Sequence, residues 1–211
     1  MNARSLKSIH YSQGVVNSAR YNLNFFQDLV YTEDLDIVLV TETWLHRDVE
    51  SSELLYSGYS IYRNDREKRA GGALIAVKTC AFKSVTAYPL ADELQHLQIA
   101  PAVVTTASDQ KILFYSCYRP LDSHPSWVYF SNIFLDQVCD QFQNMVIGGD
   151  INLPNISWDS MDSRSGANEL PFIEALHDHF LMQINNMPTC GSNILDLVIT
   201  SAPEHTKKTE M

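Results

Sequence analysis

Twice along this chain an amphipathic segment runs directly into a short, almost wholly apolar one that stops at a carboxylate. In the first pass Val16, Ala19, Leu23, Phe26 and Val30 recur at spacings of three and four, which is one face of a helix. The next segment, Leu35 to Val40, is apolar apart from Asp36, as a strand covered on both faces should be, and it delivers Thr41-Glu42-Thr43-Trp44 at its carboxyl end. In the second pass Trp127, Phe130, Phe134 and Val138 mark a helix that leads into the strand Met145 to Ile147. There Gly148-Gly149 is expected to let the backbone turn before Asp150. A helix feeding a strand is half of an α/β layer unit, so Glu42 and Asp150 are expected at equivalent strand ends.

Between the two passes lie several short β-type runs: Tyr59 to Arg63, Ala73 to Val77, Val85 to Tyr88 and Leu94 to Ile99. Gly71-Gly72 is a hairpin signal for the first pair, and this middle third reads as antiparallel sheet. Lys111 to Pro120 is a further strand, stopped by its proline, with Tyr118 and Arg119 at its end. Leu170, Ile173, Leu176 and Phe180 predict a third helix, followed by strands at Met182 to Ile184 and Ile194 to Thr200. The pattern predicts a two-sheet α/β sandwich over residues 1–201, with a frayed polar tail over 202–211.

Asp150 and Asn152, two residues apart, can aim at one phosphate-sized target. A carboxylate there can activate water, and an amide can donate to a non-bridging oxygen. The same residues before Pro154 would also serve an ordinary turn with capping side chains. A formal charge of −10 is unhelpful to a nucleic-acid binder, which needs local cations. Arg63, Arg66, Lys68, Arg69 and Lys78 cluster in one stretch, either as a basic patch or as a solvated hairpin loop. The four cysteines show no CxxC spacing and no secretory leader precedes them, so reduced thiols in an intracellular, non-secreted protein are expected. No apolar run approaches the ~18 residues of a membrane span.

Asn2 in NARSL, Glu42 in VTETWL, Tyr118 in SCYRP, Asp150 and Asn152 in IGGDINLP and Asp196 in NILDLVIT occur in the order and spacing of the endonuclease/exonuclease/phosphatase superfamily. More narrowly, TETWL, YRP, GGDIN with a following Pro and Trp, and NILDLVIT resemble the apurinic-type endonuclease domain of non-LTR (LINE-type) retrotransposons. The resemblance implies a DNase I-like fold: a four-layer α/β/β/α sandwich of two mostly antiparallel sheets, here without part of the first and the last strands.

The resemblance also implies roles. Glu42, assisted by Asn2, would hold Mg²⁺, with Mn²⁺ as a substitute; this ion polarises the scissile phosphate and steadies the leaving oxygen. Asp150 would orient or deprotonate the attacking water, and Asn152 would bind a phosphate oxygen. Tyr118 would reach the phosphate from the facing strand end, beside Arg119 as a substrate-binding group. Asp196 would orient a catalytic histidine. The family supplies that histidine from a Ser-Asp-His segment after LDLVIT, and His205 in Pro-Glu-His-Thr does not match it.

The sequence is therefore expected to be a truncated copy with impaired activity. The leading expectation is a Mg²⁺-dependent endonuclease, nuclear in location, nicking target DNA to leave a 3′-hydroxyl for a reverse transcriptase domain of the parent element. The alternatives are a repair nuclease or an inositol-phosphate or sphingolipid phosphodiesterase of the same superfamily, and a non-catalytic remnant that binds nucleic acid or protein.

Overall fold

The computed structural model describes residues 17–66, 70–121, 123–124, 126–163 and 167–205. Helix α1 (Asn17–Thr32) buries Phe26 and Val30, and strand β1 (Ile37–Thr41) follows it. Successive strand side chains point to opposite faces. Val38 and Val40 accordingly pack with α1, while Ile37 and Leu39 join an apolar layer on the other side. This double burial is why the β1 run is apolar almost throughout. Strand β3 (Ala73–Lys78) repeats the pattern: Leu74 and Ala76 meet the helix layer, and Ala73, Ile75 and Val77 the inner one. With β2 (Tyr59–Asn64) these strands form an antiparallel three-stranded sheet, ordered β1-β3-β2.

The facing sheet has six strands. In chain order they are β4 (Ser84–Ala87), β5 (Gln98–Thr105), β6 (Lys111–Tyr118), β7 (Asn144–Asp150), β10 (Met182–Gln183) and β11 (Asp196–Thr200). A short β8–β9 ladder (Ile156–Ser157, Asp162–Ser163) stands apart from both sheets. The six are ordered β10-β11-β7-β6-β5-β4 and are antiparallel except β6 with β7. That parallel pair is joined by α2 (Trp127–Cys139), since a parallel connection needs a crossover element. The outer face of this sheet carries the largest core, in which Tyr115, Met145, Ile147 and Ile199 meet Phe134 and Val138 of α2. Phe172 and Leu176 of α3 (Glu169–Asp178) complete it. The layers are thus helix, sheet, sheet, helices, as expected. Ser116 Oγ on β6 crosses between the sheets to donate to the Val40 carbonyl at 2.8 Å.

Four details differ from the sequence expectation. Gly148 and Gly149 do not turn the chain; β7 runs through both to Asp150. A Cβ at Gly148 would meet Leu39 Cδ1 of the opposite sheet at 2.5 Å, and one at Gly149 (φ +154°) would overlap the Cys117 carbonyl, so close packing requires both glycines. The middle strands do not form one block: β2 and β3 belong to the small sheet, β4 and β5 to the large one. Strand β5 covers Gln98–Thr105 rather than Leu94 to Ile99, and carries Pro101 where β4, which pairs only with Ala102 to Thr105, has already ended. On α3 the buried stripe is Phe172, Ile173 and Leu176, whereas Phe180 lies past the helix and is 86% exposed. The expectations for Val16, Lys68 and Arg69 and for residues 206–211 fall outside the described residues.

Candidate active site

The carboxyl ends of β1, β6 and β7 and the start of β11 converge, and the sequence-predicted residues sit there. Asp150 and Asp196 are directly paired across the antiparallel β7–β11 ladder. Strand β6 ends at Tyr118, and the Arg119 N–H donates to the Asp150 carbonyl at 2.8 Å. The next turn is locked reciprocally: Asn152 Nδ2 donates to the Arg119 carbonyl at 2.8 Å, and Arg119 Nη1 donates to the Asn152 carbonyl at 2.9 Å. Asn152 adopts a left-handed φ of 51°, a conformation Asn tolerates better than most residues.

Burial is the main force on Asp150, and the neighbouring Asp196 carboxylate and Glu42 add repulsion. Together they lift its carboxyl to about 7, against hydrogen bonds from the Asn152 backbone and side chain that pull it down. A carboxyl poised near neutrality can take a proton from water and return it, which is what a general base requires. Asp196 is half-buried, its carbonyl accepts from Asn185 Nδ2 at 2.8 Å, and its Oδ1 is buried with no hydrogen-bond partner among the described residues.

Glu42 follows β1 with φ 57°. Its Oε2 accepts from Trp44 Nε1 and from the Gly71 N–H at 3.4 Å, and the Tyr118 hydroxyl also bonds its carboxylate. Burial first, then that carboxylate, pushes the Tyr118 hydroxyl well up, so it stays protonated as a donor. Gly72 N–H donates to Gln98 Oε1 at 2.6 Å, which pins the Gly71-Gly72 end of the β2–β3 hairpin beside β5. Glu42 thus joins the site through both sheets. Trp44, Gly71 and Gln98 had no assigned role from sequence; the signal available for Trp44 was its place two residues after a strand-end glutamate.

Arg119 is placed at the site but turned inward. Its guanidinium is buried on the Asn152 carbonyl and lies 5.9 Å from the Trp127 ring centroid, and burial lowers its pKa while Glu169 opposes the change. Asn2 lies outside the described residues. In the basic stretch, Arg63 is paired with Asp65 at 2.7 Å and Lys78 with Asp34 at 2.6 Å.

Mg²⁺ prefers oxygen donors and usually takes one or two carboxylates plus waters. Glu42, oriented by two N–H groups, fits that demand. Among the described residues no group of three His, Cys, Asp or Glu forms an all-protein metal cage. All four cysteines are free, and among the described residues no helix is long and apolar enough to cross a membrane.

The family model described as Endonuclease-reverse transcriptase matches residues 112–211. Among solved structures, a 3′ phosphatase (NExo) from Neisseria, bound to a product DNA hairpin, is 16% identical with TM-score 0.60, covering 89% of this chain and 84% of that one. An AP endonuclease from Archaeoglobus fulgidus is 15% identical with TM-score 0.54, covering 89% and 84%. The APE2 catalytic domain of Xenopus laevis is 12% identical with TM-score 0.55, covering 82% and 76%. No curated protein matches the sequence. The fold is the DNase I-like α/β/β/α sandwich. Residues 112–211 carry the likeness to that endonuclease family model, and the chain shares its fold with these nucleases and the phosphatase.

Proposed function

We propose that this chain is a Mg²⁺-dependent phosphodiesterase that nicks DNA, of the kind retroelements use to expose a 3′-hydroxyl for reverse transcription. The observation that carries the reading is the Asp150 carboxyl, raised to about 7 and bonded to Asn152 while Glu42 and Tyr118 face it from neighbouring strand ends. Asp150 takes the proton of the attacking water, and Asn152 keeps that carboxyl oriented. Tyr118 donates from its hydroxyl toward the phosphate. Glu42 would hold the metal, which when bound supplies charge stabilisation to the phosphate. A reverse transcriptase as the partner activity is supported by the description of the family model over 112–211, and DNA as the substrate by the DNA hairpin in the Neisseria relative. A nuclear location follows from that reading.

The test is nicking of supercoiled plasmid by the purified chain in Mg²⁺, beside EDTA and a Glu42→Ala, Asp150→Ala double variant. Metal-dependent nicking that the double variant lacks supports the reading; a folded chain that never nicks, or nicking that survives the double substitution, rejects it. A second reading, a non-catalytic DNA-binding remnant, is favoured by Asp196 Oδ1, which has no partner among the described residues where the resemblance calls for a histidine. DNA binding without nicking would establish it.

A further inference from the structure

The roles given to the site leave one buried charge unused. Among the described residues the fold buries three charged side chains, Arg119, Asp150 and Glu169, and all three border the segment 150–155 at the end of β7. Glu169 is the first residue of α3, where the positive end of the helix favours an anion. Its Oε1 accepts from Asn155 Nδ2 at 3.0 Å, and its Oε2 accepts from the Asn168 N–H at 3.3 Å.

Arg119 holds the same segment three residues earlier. Its Nη1 donates to the Asn152 carbonyl, its own carbonyl accepts from Asn152 Nδ2, and its N–H donates to the Asp150 carbonyl. Asn152 in turn bonds the Asp150 carboxylate through both its backbone and its side chain. The Asn152 amide is thereby divided between the Arg119 carbonyl and the Asp150 carboxylate. Burial lowers the pKa of Arg119, and the charge of Glu169 opposes that fall.

Stability alone does not account for this arrangement. Opposite charges taken out of water gain little over apolar side chains of the same volume, and Arg119 Nε is buried with no hydrogen-bond partner among the described residues. A methionine would fill the space without that penalty. It would not hold the Asn152 carbonyl, and the left-handed φ of 51° at Asn152 persists only where its surroundings over-determine it. Burial of Ile151 and Leu153 on either side fixes the path of the chain but, being non-directional, does not orient the amide between them.

We propose that Glu169 and Arg119 are positioning residues, opposite charges from the head of α3 and the end of β6 that grip the turn 152–155 and hold the Asn152 amide against the Asp150 carboxylate. The inference rests on the reading of Asp150 as the group that activates water. It removes Arg119 from the groups that touch substrate and gives Glu169, which no sequence motif singled out, a part in the chemistry.

The experiment compares the wild type with Arg119→Met, Glu169→Gln and the double variant. The readouts are plasmid nicking in Mg²⁺, duplex affinity in Ca²⁺ by fluorescence anisotropy, melting temperature, and exchange of the Asn152 side-chain amide protons by NMR, assigned by their loss in Asn152→Asp. Each single variant is expected to lower kcat roughly 10- to 100-fold, with KM and duplex affinity within about twofold of wild type. The Asn152 amide protons, slow to exchange in the wild type, are expected to exchange like those of an exposed asparagine in both. The double variant leaves no unpaired charge at the turn, so it is expected to melt nearer to wild type than either single variant while kcat stays low. Duplex affinity that falls as far as kcat makes Arg119 a substrate group and overturns the proposal. A kcat that returns together with the melting temperature in the double variant, or an Asn152 amide that stays protected in every variant, overturns it as well. A wild type that never nicks overturns the nuclease reading instead, and the amide protons then decide whether the two charges hold the turn. If Arg119→Met does not fold, Glu169→Gln carries the comparison of kcat, affinity and amide exchange.

Discussion

Replacing Asp150 with asparagine should stabilise the protein above neutral pH while abolishing its chemistry. The carboxyl is buried against Asp196 and Glu42, and its pKa stands at about 7 where an ordinary aspartate has 3.8. At 1.36 kcal/mol per pH unit, holding it ionised in the fold costs up to ~4 kcal/mol at high pH. The cleft is partly open and solvent screens the charge, so roughly half of that, ~2 kcal/mol, is the expected effect. Between the unfolded and folded values the native state binds more protons than the unfolded chain, so wild-type stability falls as pH rises from about 4 to about 7 and then levels. The substituted amide carries no charge to desolvate, and its oxygen can still accept from the Asn152 N–H. The assay is urea or thermal unfolding of both proteins at pH 5 and pH 8. The Asp150→Asn variant should melt roughly 4–8 °C above wild type at pH 8 and by a much smaller margin at pH 5, with nicking reduced by at least ~100-fold. A variant no more stable than wild type at pH 8, or a difference independent of pH, would refute the claim that burial and like charge hold this carboxyl near neutrality.

Gly149→Ala drives a methyl into the Cys117 carbonyl in the middle of the large sheet and should cost more than ~3 kcal/mol, read as loss of soluble protein or a collapsed melting temperature. Ser116→Ala removes the side-chain bond that ties β6 to the Val40 carbonyl across the two sheets, while the β1–β3 ladder still serves that carbonyl; a loss of ~0.5–1.5 kcal/mol in urea unfolding is expected. Trp44→Phe keeps an aromatic ring and deletes the N–H that holds Glu42 Oε2, so metal affinity measured by calorimetry should fall about 10-fold with little change in melting temperature.

Much of the layer order was readable because periodicity answers to how many faces of an element are buried. Phe26 and Val30 at helical spacing, then the double-sided runs of β1 and β7, each left a pattern that survives without coordinates. Partition of the hairpins between two sheets left none: nothing along β2, β3, β4 or β5 names its partner, and only the partner across the ladder decides which sheet takes each. The glycine pair misled for a related reason, since a missing side chain records either a turn or a close neighbour, and Leu39 and Cys117 become neighbours only when the strands and sheets assemble.

At the site, residue types and their places at strand ends were legible, because Glu42, Tyr118, Asp150 and Asp196 each terminate or begin an apolar run. The physical state of those groups was not. Asp150 owes its pKa near 7 to burial and to Asp196 across a ladder, Glu42 gains Gly71 and Tyr118 from other strands, and the indole N–H of Trp127 is left unmet among the described residues at the head of a cleft. The sequence by itself determined the periods of burial and hence the layers and the strand ends that carry chemistry. Only the tertiary structure decided which charges share one low-dielectric space, because desolvation and Coulomb energy depend on distances through space that chain order does not record.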